Sequence, residues 1–344
     1  MSGGRRLGRC LVTGGSGTFG CAFREHVLAH DLVDELVVFS RDECKQAEQR
    51  ERCGDARVRW FLGDVRDRER LRRAFRGCDV VVHAAALKRI DACGYNPAEA
   101  VATNVAGTRH AIEAALDTGV GRFLLLSTDK ACEPVNLYGA TKAVAEHLVC
   151  LANAYSGRAN SVRANGRRAD GRRATRFGAT RYGNVFGSRG SVLEVWRARA
   201  ARGLVLHLTA EDATRFWLTP AGAVRAVLVA LARLRDAAAC PSGEVYVPDL
   251  RSVRMRDVAV AVLAEVGGGA DPPEVVGLRA GEKLHESLVG RDEARRAYRR
   301  PDGHRVLTDD PEDGDVATGA CRSDDPTALF SPSETRAALA GLVL

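Results

Sequence analysis

Arg9-Cys10-Leu11-Val12-Thr13-Gly14-Gly15-Ser16-Gly17-Thr18-Phe19-Gly20 decides the fold. A short apolar run ends in glycines at three-residue spacing (Gly14, Gly17, Gly20), and the stretch Cys21 to His30 behind them has helical character. Strand, glycine turn and helix in that order let the backbone approach a pyrophosphate, whose charge is met by the N-terminus of the helix. A glycine pattern alone is also what a plain turn looks like. Its place at the first strand–helix junction favours a dinucleotide site, with Gly14, Ser16, Gly17, Thr18, Phe19 and Gly20 around the phosphates.

Working outward, Glu35-Leu-Val-Val-Phe, Val58-Arg-Trp-Phe-Leu, Asp79-Val-Val-Val-His and Arg122-Phe-Leu-Leu-Leu-Ser have strand length, and helix-like periodicity follows most of them. Repeated units of this kind predict an α/β chain with a parallel, doubly wound sheet covered by helices on both faces. The second strand runs into Ser40-Arg41-Asp42, with Lys45 one helical turn later. An NAD site places a carboxylate there on the ribose 2′-hydroxyl; cations placed there, Arg41 and Lys45 beside Ser40, favour the extra phosphate of NADP. Asp42 keeps NAD open. Asp64 and Val65 are placed for the adenine, and the small side chains Ala84 and Ala86 for the floor beneath the nicotinamide.

With 344 residues, 45% apolar and 28% charged, the chain has enough material for a sizeable core. It has no apolar run of about 18 residues or more, and its start lacks the apolar stretch of a signal peptide. The expectation is a cytoplasmic protein with no membrane partner. Ten cysteines are scattered singly, without a CxxC pair or metal spacing, and read as reduced thiols. The formal charge of +7 sits mostly in residues 157–176, which hold seven arginines against Asp170 alone. No aromatic residues interleave those arginines, so a solvated loop is the better reading and no nucleic-acid partner is expected. His285 has no HExxH context or matching third ligand, and no metal is expected.

The strand Leu124-Leu125-Leu126 leads into Ser127-Thr128-Asp129-Lys130, and Tyr138-Gly139-Ala140-Thr141-Lys142 follows. Tyr138 and Lys142, at i and i+4 on a helix, project from one face. A phenol titrates near pH 10, too high for a base at neutral pH. A neighbouring ammonium and the nicotinamide charge favour its phenolate, which then takes the proton from a hydroxyl as hydride leaves the same carbon. Lys142 and Tyr138 also touch the cofactor in this reading. Asp129-Lys130 in isolation is a surface ion pair; next to Tyr138 it reads as part of the same site.

Eight segments in order carry a resemblance: TGGSGTFG from Thr13, FSRDECKQ from Phe39, GDVRD from Gly63, AAALKRIDACGYNP from Ala84, STDKACEPVNLYGATK from Ser127, RYGNVFGSRGSV from Arg181, TRFWLT from Thr214 and RAGEKLHE from Arg279. From about residue 8 to 290 the chain resembles the extended short-chain dehydrogenase/reductase family, in particular its inverting UDP-N-acetylglucosamine 4,6-dehydratases. The resemblance implies a Rossmann-type sheet with a smaller α/β substrate-binding part, an NADP cofactor, a UDP-sugar substrate and a homo-oligomer. Retaining dehydratases carry an acidic residue after the aspartate, whereas the inverting ones carry Asp-Lys, as here. By resemblance Lys130 is the base that removes the C5 proton, acidified by oxidation at C4. Asp129 is the acid that helps the C6 hydroxyl leave, and Thr128 bonds the C4 oxygen. Such a lysine must be partly neutral. Lys88, Asn184, Leu193, Thr209, Arg215, Arg279 and Glu282 line the substrate site by the same resemblance, with Arg215 and Arg279 on the diphosphate and Val185 on the cofactor.

Residues 1–182 are expected to form the cofactor domain, interrupted by the flexible insertion 157–176. Residues 183–300 are expected to be mainly substrate-binding, and 301–344 an acidic, poorly ordered tail. Cys132 and Glu133-Pro134 depart from the residue types the resemblance leads one to expect in the catalytic loop. Two other readings stand beside the dehydratase: a nucleotide-sugar 4-epimerase or dehydratase/5-epimerase on the same scaffold, and a non-catalytic NADP-binding regulatory protein. A simple 4-epimerase has no use for a C5 base, and an idle protein has no use for Tyr138, Lys142 and Asp129-Lys130 together.

Overall fold

The computed structural model describes residues 6–156, 174–188, 190–235, 243–266 and 271–342. All but the last three residues of the arginine-rich insertion 157–176 therefore lie outside the described residues. In the first half β1 (Arg9–Thr13), β2 (Glu35–Ser40), β3 (Val58–Leu62), β4 (Val80–His83), β5 (Arg122–Thr128) and β6 (Arg176–Tyr182) are the strands. They alternate with α1 (Thr18–Ala29), α2 (Glu43–Arg52), α3 (Arg68–Phe75), α4 (Ile90–Tyr95), α5 (Pro97–Val101), α6 (Gly107–Thr118) and α7 (Leu137–Ser156). The second half adds β7 (Asn184–Val185), α8 (Val192–Ala200), β8 (His207–Leu208), β9 (Thr214–Leu218), α9 (Pro220–Arg233), β10 (Val245–Val247), β11 (Ser252–Arg254) and α10 (Met255–Glu265). It ends with β12 (Glu274–Val275), β13 (Ser287–Val289), β14 (Ala297–Arg299), β15 (Arg305–Leu307), β16 (Val316–Ala317), β17 (Cys321–Arg322) and α11 (Pro332–Ala340).

The main sheet has the order β16-β14-β15-β10-β6-β5-β4-β1-β2-β3. From β3 to β10 neighbouring strands are parallel, and β15, β14 and β16 close the far edge antiparallel. The apolar runs are unbroken because both faces are covered. Leu11, Val37, Val81, Phe123 and Leu125 point into one core layer, while Val12, Val38, Val82 and Leu124 point into the other. The order reverses between β1 and β4, and at such a switch point the carboxyl ends of the strands open a crevice for ligand. A third apolar cluster, with Leu193, Trp196, Leu208, Trp217 and Val258, supports the residues on the other side of that crevice.

Two boundaries differ from expectation. Residues 183–300 are expected to be mainly substrate-binding, yet β10 pairs parallel to β6 and extends the main sheet. The segment 301–344, expected to be poorly ordered, contributes β15 with Val306 and Leu307 buried, and α11 packs on α10 with Leu339 in the third core. Its acidic residues have internal partners. Glu312 and Asp315 lie against the guanidinium of Arg300, which also bonds Glu244, so charges that read as a solvated tail neutralise a buried arginine. A capping box of Ser331 and Glu334 starts α11.

Candidate active site

The glycine turn joins β1 to α1, whose N-cap, Gly17, makes no side-chain cap and whose first turn holds no acid. No side-chain cap and no acid of the helix itself thus compete with an anion at this positive end. Gly20 lets the turn close on the helix, since a Cβ there would stand 2.3 Å from the Gly15 carbonyl oxygen. α2 supports the turn from behind: Gln49 Nε2 donates to the Ser16 carbonyl at 2.9 Å, and Gln46 Nε2 to Ser40 Oγ at 2.8 Å. A buried chain fixes the floor. Thr13 Oγ1 accepts from the N–H groups of Ala84 and Ala85, so its own proton goes to His83 Nδ1 at 2.9 Å. The other ring nitrogen then donates to Thr108 Oγ1 at 3.2 Å, whose proton goes to the Asn104 carbonyl. Burial, with a smaller push from Lys142, brings His83 down to about 3, and the ring stays neutral. These groups fit a dinucleotide.

Beyond the turn, Asp42 caps α2 through Lys45 N, and its other oxygen holds Lys45 Nζ at 2.5 Å. Arg41 reaches toward Asp64 at 3.7 Å, and Arg66 holds the same carboxylate at 2.7 Å.

The catalytic corner lies at the carboxyl end of β5. Residues 129–131 form a single 3-10 turn directly after the strand, and α7 starts six residues later. Gly139 permits their contact, because a Cβ on it would lie 2.1 Å from the Lys130 carbonyl oxygen. Asp129 is fully buried. Its Oδ1 accepts from Thr128 Oγ1 at 2.9 Å and from Lys130 Nζ at 3.0 Å, while Oδ2 has no hydrogen-bond partner. Lys130 Nζ also meets Glu286 Oε1 at 3.0 Å and Asn184 Oδ1 at 3.1 Å, which engages all three ammonium protons. Tyr138 and Lys142 lie side by side on the first turns of α7, and Lys142 Nζ donates to the Leu126 carbonyl at 2.6 Å.

The electrostatics correct two expectations. Burial alone lowers the pKa of Lys130, but the carboxylates of Asp129 and Glu286 outweigh it and the net shift is upward, so the lysine is held charged rather than partly neutral. Burial pushes Tyr138 up to about 12 against the pull of Lys130 and Thr128, so the protein's own groups keep the phenol protonated. Burial brings Lys142 down to about 8. Burial and the neighbouring Glu286 raise Asp129, against Lys130, whereas Glu286 itself is lowered, chiefly because Lys130 and Arg215 outweigh its burial.

On the substrate side, Glu282 Oε1 accepts from Thr209 Oγ1 at 3.0 Å and from Arg215 at 2.9 Å. Arg215 also donates to the carbonyls of Thr214 and Leu284, so it meets a phosphate only alongside or in exchange with Glu282. Lys88 and Arg279 stand more exposed on the wall. Partial burial draws Lys88 down in pKa, against the pull of Glu194.

One cleft of about 1510 Å³ brings these residues together, room for a dinucleotide and a second nucleotide ligand. Gly14, Ser16, Gly17, Thr18, Phe19, Ser40, Arg41, Lys45, Asp64, Val65, Ala84 and Ala86 line one half. Lys88, Thr128, Lys130, Tyr138, Lys142, Asn184, Val185, Thr209, Arg215, Arg279 and Glu282 line the rest. Three expected residues stay off its wall: Gly20 packs behind the turn, Asp129 lies beneath Thr128 and Lys130, and Leu193 is wholly inside the third core. Glu286 was missed. It lies in RAGEKLHE together with Arg279, Glu282 and His285; His285 instead bonds Thr214 Oγ1. Cys132 is buried, its thiol donating to Glu293 at 3.4 Å and raised in pKa by burial first and by that carboxylate second. The described cysteines are free thiols, and no metal-binding group of His, Cys, Asp and Glu occurs among the described residues. No described helix is long and apolar enough to cross a membrane.

Residues 10–307 match the model of a family described as polysaccharide biosynthesis protein. The chain belongs to this family. Among its relatives, the inverting UDP-N-acetylglucosamine 4,6-dehydratase of Campylobacter jejuni (serotype O:2) is 38% identical over 289 residues, covering 84% of this chain and 79% of that one. The UDP-glucose 4-epimerase of Rickettsia akari is 34% identical over 290 residues, covering 83% and 79%. The X-ray structure of Pen from Bacillus thuringiensis superposes with a TM-score of 0.83 at 29% identity, covering 98% of each chain. The polysaccharide biosynthesis family thus comes with the Rossmann-type, extended short-chain dehydrogenase/reductase architecture read from the motifs.

Proposed function

We propose that the chain is an inverting, NADP-dependent UDP-N-acetylglucosamine 4,6-dehydratase, forming UDP-2-acetamido-2,6-dideoxy-L-arabino-hexos-4-ulose. The observation that carries this reading is Lys130, held with Asp129 and Thr128 in the same cleft wall as Tyr138. Tyr138, a phenol in the protein's own field, accepts the proton of the C4 hydroxyl once the positive nicotinamide has drawn it to the phenolate, and Thr128 bonds the C4 oxygen. The nicotinamide supplies the acceptor for the C4 hydride and the donor that returns it to C6. Lys130, once its ammonium has released a proton to the cleft, removes as the free amine the C5 proton that the C4 ketone has acidified. Asp129 supplies the proton for the departing C6 hydroxyl; Thr128 Oγ1, which separates this carboxyl from the cleft and donates to it at rest, turns its own proton to the leaving oxygen and takes that of Asp129 in exchange. Reprotonation of C5 on the opposite face inverts that centre.

NADP is favoured over NAD because both oxygens of Asp42 are engaged by Lys45 rather than left for a ribose hydroxyl. Ser40 Oγ accepts from Gln46, which leaves the hydroxyl proton for a phosphate oxygen. Arg279 and Lys88 are assigned to the diphosphate of the sugar nucleotide.

Proton spectra of the product formed from UDP-N-acetylglucosamine in deuterated water test the proposal. A 4-keto-6-deoxy sugar with deuterium at C5 and inverted configuration is expected. A C4 epimer without deuterium at C5 would transfer the chain to the epimerase reading that the Rickettsia relative represents, and retained C5 configuration would remove Lys130 from its role.

A further inference from the structure

Lys130 has more partners than a base needs. Its Nζ lies 3.0 Å from a carboxylate oxygen on each of two residues, Asp129 at the end of β5 and Glu286 just before β13. Glu286 is buried, and its second oxygen, Oε2, has no hydrogen-bond partner; Lys283 Nζ stands 3.9 Å away. The loop that delivers Glu286 is tied to the catalytic turn at two places. Lys283 Nζ donates to the Cys132 carbonyl at 2.6 Å and Asn136 Nδ2 to the Gly281 carbonyl at 2.8 Å. The other charged or titratable groups facing the pair are Tyr138 from α7 and Arg215 from β9, the latter already matched by Glu282.

Charge counting decides what such a trio can be. An ammonium with two ionised carboxylates leaves a net negative charge on the trio, which Lys283, 3.9 Å from Glu286 and bonded to the Cys132 carbonyl, offsets only from its edge, and burial disfavours that charge. One extra proton removes it. Asp129, raised by burial and by the charge on Glu286, is where that proton resides, while Glu286, lowered by Lys130 and Arg215, stays ionised.

We propose that Glu286 is a positioning residue of the reaction, the counter-ion of Lys130 that frees Asp129 to remain a protonated acid. This rests on the dehydratase reading of the site.

The test compares the full-length wild-type protein, saturated with its nicotinamide cofactor, with Glu286→Gln, Glu286→Asp and Asp129→Asn. Infrared difference spectra read the protonation of Asp129 without turnover: wild type has the band of a protonated buried carboxyl at neutral pH, Asp129→Asn lacks it, and Glu286→Gln is expected to lack it although Asp129 is present. In turnover, Glu286→Gln loses about 10²-fold in kcat, its high-pH limb moves to lower pH, and reduced nicotinamide accumulates on mixing with UDP-N-acetylglucosamine. Glu286→Asp keeps the band and recovers part of kcat. Persistence of the band in Glu286→Gln, or an unmoved pH profile, overturns the proposal. If Glu286→Gln does not fold, loss of the band in Glu286→Asp does the same. Should wild type leave UDP-N-acetylglucosamine unchanged, the substrate reading fails while the infrared comparison still decides the role of Glu286.

Discussion

The two halves of the cleft are built from different materials. The cofactor half is backbone and small side chains: a glycine turn, an uncapped helix N-terminus and an alanine floor, with a neutral histidine holding that floor in place. The catalytic half is buried charge, with the buried carboxylates of Asp129 and Glu286 both in contact with Lys130. A backbone cradle depends on shape and fails when a Cβ is added. A charge cluster depends on proton count and fails when one carboxylate or amine is neutralised, even with its shape intact.

The largest expected effect breaks the charged half and spares the other. Lys130→Met should lower turnover of UDP-N-acetylglucosamine by about 10³-fold, the scale of a lost acid–base group, while cofactor affinity measured by fluorescence titration stays within a few-fold. Equal loss of both would mean that Lys130 holds the cleft together rather than acting in it. The converse is Gly20→Val. Its side chain meets the Gly15 carbonyl, so the turn must move, at a cost of about 2 kcal/mol in stability and with loss of dinucleotide binding. Thermal melts with and without cofactor check this: wild type should gain stability from the cofactor and the variant should gain little.

That division also decides what was legible in the sequence. The cradle could be read because its parts are local: Gly14, Gly17 and Gly20 sit within seven residues of one another, and the strands announce themselves by unbroken apolar runs. Tyr138 and Lys142 could be read for the same reason, one helical turn apart. Glu286 could not. It meets Lys130 only after the chain has travelled 156 residues, and an acid in a Lys-Leu-His-Glu context reads as solvated surface until the fold buries it. The supposed partial neutrality of Lys130 failed with it, because a pKa depends on every neighbour and two of the three here were not adjacent in a way that spacing reveals. The acidic tail misled for a related reason, since composition cannot tell that Glu312 and Asp315 face the buried Arg300.

A smaller effect sharpens the cofactor half at its edge. Replacing both Arg41 and Lys45 by alanine should weaken NADP binding by about 10²-fold, since each charged hydrogen bond to a phosphate contributes about 1.5–3 kcal/mol before solvent screening, and both groups are half exposed. NAD affinity should change little, because neither cation has a partner on an unphosphorylated ribose. Parallel titrations with the two cofactors separate the cases; an equal loss for both would place Arg41 and Lys45 in the support of the α2 turn instead.

The smallest expected effect concerns His83, a buried titratable group on the shape-dependent side. Its folded pKa is about 3, below the unfolded value of about 6.5, because burial and the Lys142 charge disfavour the imidazolium. A depressed pKa of this kind gives stability that is fully present above pH 6.5. It is lost as pH falls from there toward 3, by about 1.4 kcal/mol per pH unit for the single proton taken up on unfolding. His83→Gln keeps a hydrogen-bonding side chain but removes the titration. Its denaturant midpoint should therefore be lower than that of wild type at pH 7 and should decline less steeply between pH 6.5 and 5. Parallel slopes for the two proteins would mean that protonation at His83 is met by a local rearrangement, and that the cradle, like the catalytic corner, tolerates a charge its geometry does not advertise.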